Sequence, residues 1–145
     1  HHPGPATGAI WAVLPQQSIV FVGDAVVVNE PPFLAFADIP SWLETLETLV
    51  SPAFQNFLIV GGREGLVTQS QARELIKTLQ WVHQQVEALA DRRALPAETQ
   101  ELVPELLKRY RSSPERQEQY RARLTYGLEQ YFIRHYHPIA VEEEE

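Results

Sequence analysis

The sequence contains no cysteine and no methionine. Without cysteine there is no disulfide, no thiolate metal site and no cysteine nucleophile, although that alone does not fix the compartment. Without methionine even a start residue is missing, so the chain reads as a portion of a larger protein. No run approaches the roughly 18 apolar residues of a membrane span. No signal-peptide pattern opens the sequence, and the expected setting is the cytoplasm, with no membrane partner. A basic domain is lacking too. Residues 1–67 hold six acidic side chains and one basic one, Arg63, and residues 68–141 hold nine acidic and eleven basic. Glu142 to Glu145 add four more negatives, and the net charge is −7. With no basic surface to cover phosphates, nucleic acid is not an expected partner. The Glu tail reads as a solvated end. There is no Gly-Lys-Ser/Thr phosphate loop and no Gly-x-Ser-x-Gly nucleophile elbow. Gly4 and Gly8 are too sparsely spaced for a dinucleotide loop.

What is present is enough chain, 145 residues, for a sizeable core. Ile10 to Leu14 is an apolar run, Pro15-Gln16-Gln17 a turn, and Ser18 to Val22 a second run closed by Gly23-Asp24. β-Branched and aromatic runs between turn residues predict strands. Their lack of polar alternation predicts strands buried on both faces, as in a layered α/β domain. Ala25 to Asn29 is expected to continue the second strand until Glu30-Pro31-Pro32 ends it.

Asp38 is a good N-cap for a helix with Ile39, Trp42, Leu43, Leu46, Leu49 and Val50 on one face. Pro40 is tolerated in its first turn, and Ser51-Pro52 stops it. Phe57 to Val60 predicts a short strand, followed by a flexible turn over residues 61–65. Thr68 with Gln71 fits a capping box. From there Ala72, Leu75, Ile76, Leu79, Val82, Val86 and Leu89 form one stripe to about Asp91. Leu95-Pro96 opens a shorter helix, in which Pro104 marks either a kink or the true start. Ser113-Pro114-Glu115 starts the last helix, with Tyr120, Leu124, Leu128, Tyr131, Phe132 and His135 on its stripe and Pro138 at its end. The expected division is an α/β portion over residues 1–91 and a C-terminal helical appendage with an acidic tail over 92–145. Such helices need a surface to pack on. That surface is either the α/β portion or a second copy, which makes a homo-oligomer through the C-terminal helices an expected arrangement.

The first 67 residues or so resemble the later half of the metallo-β-lactamase fold. Many members of that superfamily carry a loop His-Thr-Pro-Gly-His-Thr-Pro-Gly-Ser, then strand, turn, strand and a Gly-Asp pair. Here the loop is His1-His2-Pro3-Gly4-Pro5-Ala6-Thr7-Gly8-Ala9 and the pair is Gly23-Asp24. Pro31-Pro32-Phe33-Leu34 and the helix from Asp38 resemble the family's next loop and helix. Phe57 to Gly62 resembles the strand leading to its Pro-Gly-His-Gly turn. The resemblance implies a fold class of α/β: the second half of an αββα sandwich, followed by C-terminal helices. It also implies a metal-dependent hydrolase that uses a metal-bound hydroxide on an ester, thioester, amide or phosphodiester of an unknown small-molecule substrate. The metal would be zinc, or iron or manganese.

The metal positions depart from the family pattern. Asp24 stands where the family has a metal-bridging carboxylate, and it is the ligand the resemblance assigns here. Pro5 stands in place of one ligand His and Arg63 in place of another, and neither can donate to a metal. The family's His-x-His-x-Asp-His motif would lie before residue 1. His1 or His2 could supply an imidazole near Asp24, or be the remnant of a tag. Arg63 could ion-pair with Asp24 and replace the metal's charge. His83 flanks the apolar stripe of the long helix, and His135-Tyr136-His137 lies at a helix end with no third ligand nearby. Three functions are therefore carried: a hydrolase completed by ligands elsewhere, a degenerate member of the fold that binds or assembles, and a helical interaction module.

Overall fold

Two short strands carry almost nothing but apolar side chains, and the rest of the chain is arranged about them. The computed structural model describes residues 11–63 and 65–136. The expectations placed on residues 1–10, Glu64, His137, Pro138 and Glu142 to Glu145 lie outside the described residues. β1 (Ala12–Leu14) and β2 (Ile19–Gly23) pair antiparallel across the predicted turn. β3 (Leu58–Gly61) pairs parallel with β2, with Ile19 opposite Leu58 and Phe21 opposite Val60. β4 (Gly65–Val67) pairs antiparallel with β3, and the sheet order is β1-β2-β3-β4. β4 begins at Gly65, the last residue of the expected flexible turn, and no strand was expected over Leu66 and Val67. Three residues are too few to show a period, and the pairing with β3 is what makes them a strand.

The strand does not continue past Asp24 as expected. Gly23 adopts φ +56°, a left-handed conformation that glycine takes freely, and the chain turns out of the sheet. The Ala25 N–H donates to the Val22 carbonyl at 3.0 Å, closing that turn. Ala25 and Val26 are buried, but as a loop pressed on the core. An apolar run reports burial, and burial does not require a ladder.

α1 (Ile39–Leu49) starts where predicted, with the Asp38 carboxylate accepting from the Ser41 N–H at 3.2 Å. α2 (Gln69–Asp91) opens on the predicted capping box, whose two reciprocal bonds are 3.0 and 2.9 Å. A tighter 3-10 stretch over Pro96–Leu102 leads into α3 (Val103–Leu107). Pro104 sits in the first turn of α3, so it marks a start and not a kink. α4 (Pro114–Tyr136) begins with the Ser113 hydroxyl accepting from the Arg116 N–H at 3.3 Å. The result is a mixed α/β structure of four strands and four helices among the described residues.

Helix α4 is packed against the chain before residue 91. Its Tyr120, Leu124, Leu128, Tyr131 and Phe132 enter the same core cluster as Val20, Trp42 and Leu79. Each such side chain, fully buried, is worth roughly 1.5–3 kcal/mol of transfer free energy. The loop between Asn29 and Ile39 runs along α4. The Tyr120 hydroxyl donates to the Asn29 carbonyl at 3.3 Å, and Arg134 donates to the Ala35 carbonyl at 2.9 Å. The Ile39 N–H donates to the Tyr131 hydroxyl oxygen at 3.4 Å. At Gly127 the helix lies so close to the loop that a Cβ would stand 3.3 Å from the Leu34 nitrogen.

Burial pushes the Tyr131 hydroxyl up to about 12, against a backbone hydrogen bond from Ile39 that acts the other way. A folded value above the unfolded one favours the native state only while the phenol is protonated. That contribution is complete below about pH 10 and is lost as pH rises towards 12. The urea midpoint is therefore expected to fall across this window, and less steeply in Tyr131→Phe. The flattening is partial, because burial raises Tyr110 and Tyr136 as well. Equal slopes in the two proteins would remove Tyr131 from the account.

Candidate functional site

The parallel pair β2 and β3 brings two of the sequence-predicted positions to one end of the sheet. Open α/β sheets bind ligands beyond the carboxyl ends of their parallel strands. β2 ends in Gly23-Asp24, and β3 runs into Gly61-Gly62-Arg63. The Gly62 N–H donates to the Gly23 carbonyl at 2.9 Å. A Cβ on Gly62 would lie 3.1 Å from Asp24 Oδ1 and 3.3 Å from the Gly23 carbonyl carbon. Glycine at 62 therefore allows the close approach of the two strand ends, with the Asp24 carboxylate lying over the turn.

Arg63 does not pair with Asp24 as expected. Its Nη1 lies 3.1 Å from Glu30 Oε1. Arg123 Nη1, from the middle of α4, lies 2.9 Å from the same oxygen and also donates to the Pro31 carbonyl at 3.1 Å. The physical reason is the path of the loop. Asn29 takes a left-handed φ of +60°, which asparagine tolerates, and the following residues fold back along α4. That turn carries Glu30 to the sheet end, where a carboxylate already held by one guanidinium receives the second. Among the described residues Asp24 has no ion-pair partner.

Glu30 and Arg123 are the residues that sequence reading missed. Glu30 looked like the residue that ends a strand before two prolines. The one available signal was spacing on the last helix. Tyr120, Arg123, Gly127, Tyr131 and Arg134 recur every three or four residues on one face, and that face holds the loop.

The remaining sequence candidates separate. His135 Nε2 lies 2.8 Å from the Ala37 carbonyl and its ring lies 4.2 Å from that of Tyr131, so it is engaged with the loop. His83 is half-buried on α2, and its buried Nδ1 has no hydrogen-bond partner among the described residues. His2, His1 and Pro5 lie outside the described residues. Among the described residues no three His, Cys, Asp or Glu side chains gather as a metal-binding group. Zinc, iron and manganese need several such donors. Asp24 alone, beside a turn that carries a guanidinium, does not fit them.

A separate cleft of about 320 Å³ opens on the helix side, floored by Val27, Val28 and Leu75 and rimmed by Glu74, Arg109 and Tyr110. Among the described residues no helix is long and apolar enough to cross a membrane.

The two faces of the sheet differ in cover, though not in chemistry. Val20, Val22, Ile59 and Val67 point to the helices and are buried. On the opposite face Leu14, Phe21, Leu58 and Leu66 are 42, 41, 54 and 67% exposed. The register places Leu14 beside Ile19 and Leu66 beside Val60, so the exposed side chains form one continuous surface.

A comparison with models of known protein families finds no match, and a comparison with curated proteins finds none either.

Proposed function

We propose that this chain is one half of a metallo-β-lactamase-like sandwich whose metal site is degenerate, and that it acts as a binding or assembly module. The observation that carries the reading is the exposed apolar face of the sheet. Sheets apolar on both faces are covered on both faces, and large exposed apolar patches mark interaction sites. A second apolar sheet packed about 10 Å away would cover this one, as in a sandwich. That sheet would come from the remainder of such a sandwich or from a second copy of the chain. The α4 face that was expected to build an oligomer is already spent on the loop at Asn29 to Ile39. The sheet face is the better contact surface for that reason.

The reading of the chain as a hydrolase of an ester, thioester, amide or phosphodiester is supported by Asp24 alone. It would need its metal ligands from outside the described residues, and no reaction step follows from the side chains at the sheet end.

Phe21→Lys with Leu58→Lys tests the proposal. The unaltered chain is expected to bind an apolar fluorescent dye and to scatter light as more than one chain at high concentration. The double variant is expected to lose most of both signals with its helical circular dichroism unchanged. Equal signals from the two proteins would remove the sheet face as the contact. In parallel, elemental analysis after incubation with excess zinc and dialysis is expected to find far less than one zinc per chain. One retained zinc per chain would restore the hydrolase reading.

A further inference from the structure

We infer that Arg63 and Arg123 form a binding site for the phosphate group of a small molecule at the sheet end beside Asp24, with Glu30 holding the ligand's place. The two arginines come from different elements, the turn after β3 and the middle of α4. Each brings Nη1 to within about 3 Å of one oxygen, Glu30 Oε1, at 3.1 and 2.9 Å. Two guanidiniums thus converge on one acceptor, which is how arginines take up an oxyanion. The Glu30 carboxylate marks where that oxyanion would sit.

Two guanidiniums share the single Glu30 carboxylate, and the Asp24 carboxylate lies over the turn that carries Arg63. The donors are not exhausted. Arg63 is 65% exposed on its side chain and makes a single hydrogen bond among the described residues. Arg123 places one nitrogen on Glu30 and on the Pro31 carbonyl, and its other donors have no acceptor among the described residues. Once Glu30 moves aside, both guanidiniums are left without a carboxylate partner among the described residues, and their two charges exceed the single one of Asp24. A phosphate group carrying about −1.5 to −2 matches that better than a single carboxylate does. Glu30 lies on the loop after Asn29 and outside the strands, so the proposal requires only its side chain to swing away. The position is also the expected one, at the carboxyl ends of the parallel strands.

The test is a titration of the 145-residue chain with inorganic phosphate at constant ionic strength, followed by the arginine side-chain N–H signals in nuclear magnetic resonance. Glu30→Gln keeps an oxygen for the arginines and removes the competing charge. It is expected to tighten phosphate binding by about tenfold, the order of effect of removing one nearby like charge. Arg63→Gln, at an exposed position, is expected to weaken binding by at least about tenfold with the fold intact. Absence of saturable shifts at Arg63 and Arg123 in Glu30→Gln would overturn the proposal. Equal affinity of Arg63→Gln and the unaltered chain would overturn it too, and this second comparison stands even where Glu30→Gln fails to fold. The Phe21→Lys, Leu58→Lys variant is expected to bind phosphate at least as tightly as the unaltered chain, since it adds only positive charge, so failure of the sheet-face contact and failure of this site are read separately.

Discussion

Trp42→Ala is expected to lower the unfolding free energy by about 3–5 kcal/mol, among the largest losses a single truncation produces. Trp42 is fully buried on α1, inside the core cluster that spans the chain. Its indole N–H donates to the Ala25 carbonyl at 2.8 Å. Truncation would leave a cavity the size of the ring system. It would also orphan a buried carbonyl in the segment just after Asp24, and an unsatisfied buried acceptor costs roughly 1–3 kcal/mol by itself. Trp42→Phe separates the two contributions, because it keeps most of the apolar volume and loses the donor. Urea melts of the three proteins check the ordering, with the Phe variant between the other two. A Phe variant as stable as the unaltered chain would mean that the hydrogen bond adds nothing net.

The second large effect is expected at Gly127. Glycine inside a helix costs about 1 kcal/mol relative to alanine, so by propensity alone any replacement should stabilise α4. The packing says otherwise. A Cβ at 127 would meet the Leu34 nitrogen at 3.3 Å and the Leu34 Cβ at 3.5 Å. Alanine is expected to be near neutral, its gain in propensity offset by a tight contact. Gly127→Val forces the loop off the helix and is expected to cost about 2–3 kcal/mol. The same displacement pulls Glu30 away from Arg123, so amide hydrogen exchange over residues 33–39 should accelerate together with the loss in melting temperature. A stable Gly127→Val protein with unchanged exchange would mean that the loop yields without cost.

These two residues show what a sequence can and cannot report. Trp42 was legible, because it lies at the right spacing in a helix with a clear N-cap and a single apolar face. The capping box at Thr68 and the Ser113-Pro114 start were legible for the same reason: they are satisfied by neighbours three or four residues away. Gly127 was not legible. Its meaning depends on Leu34, ninety-three positions earlier, and nothing in the helix itself announces that contact. β4 was missed because a three-residue strand exists only by virtue of its partner. The run from Ala25 to Asn29 was misread because buried loops and strands share an apolar composition.

The candidate site divides in the same way. Asp24 and Arg63 could be singled out from local patterns, a strand end and a Gly-rich turn. That Arg63 would turn to Glu30 could not, since the choice between two carboxylates is made by the path of the loop and by Arg123 on a distant helix. Local sequence, acting through hydrogen bonds and periodicity over a few residues, determined where the helices begin, which faces they bury and that the strands are apolar on both sides. The tertiary structure alone decided which of those apolar faces stays open and which charges meet, because both depend on contacts between segments far apart in the chain, and those contacts leave no local period to read.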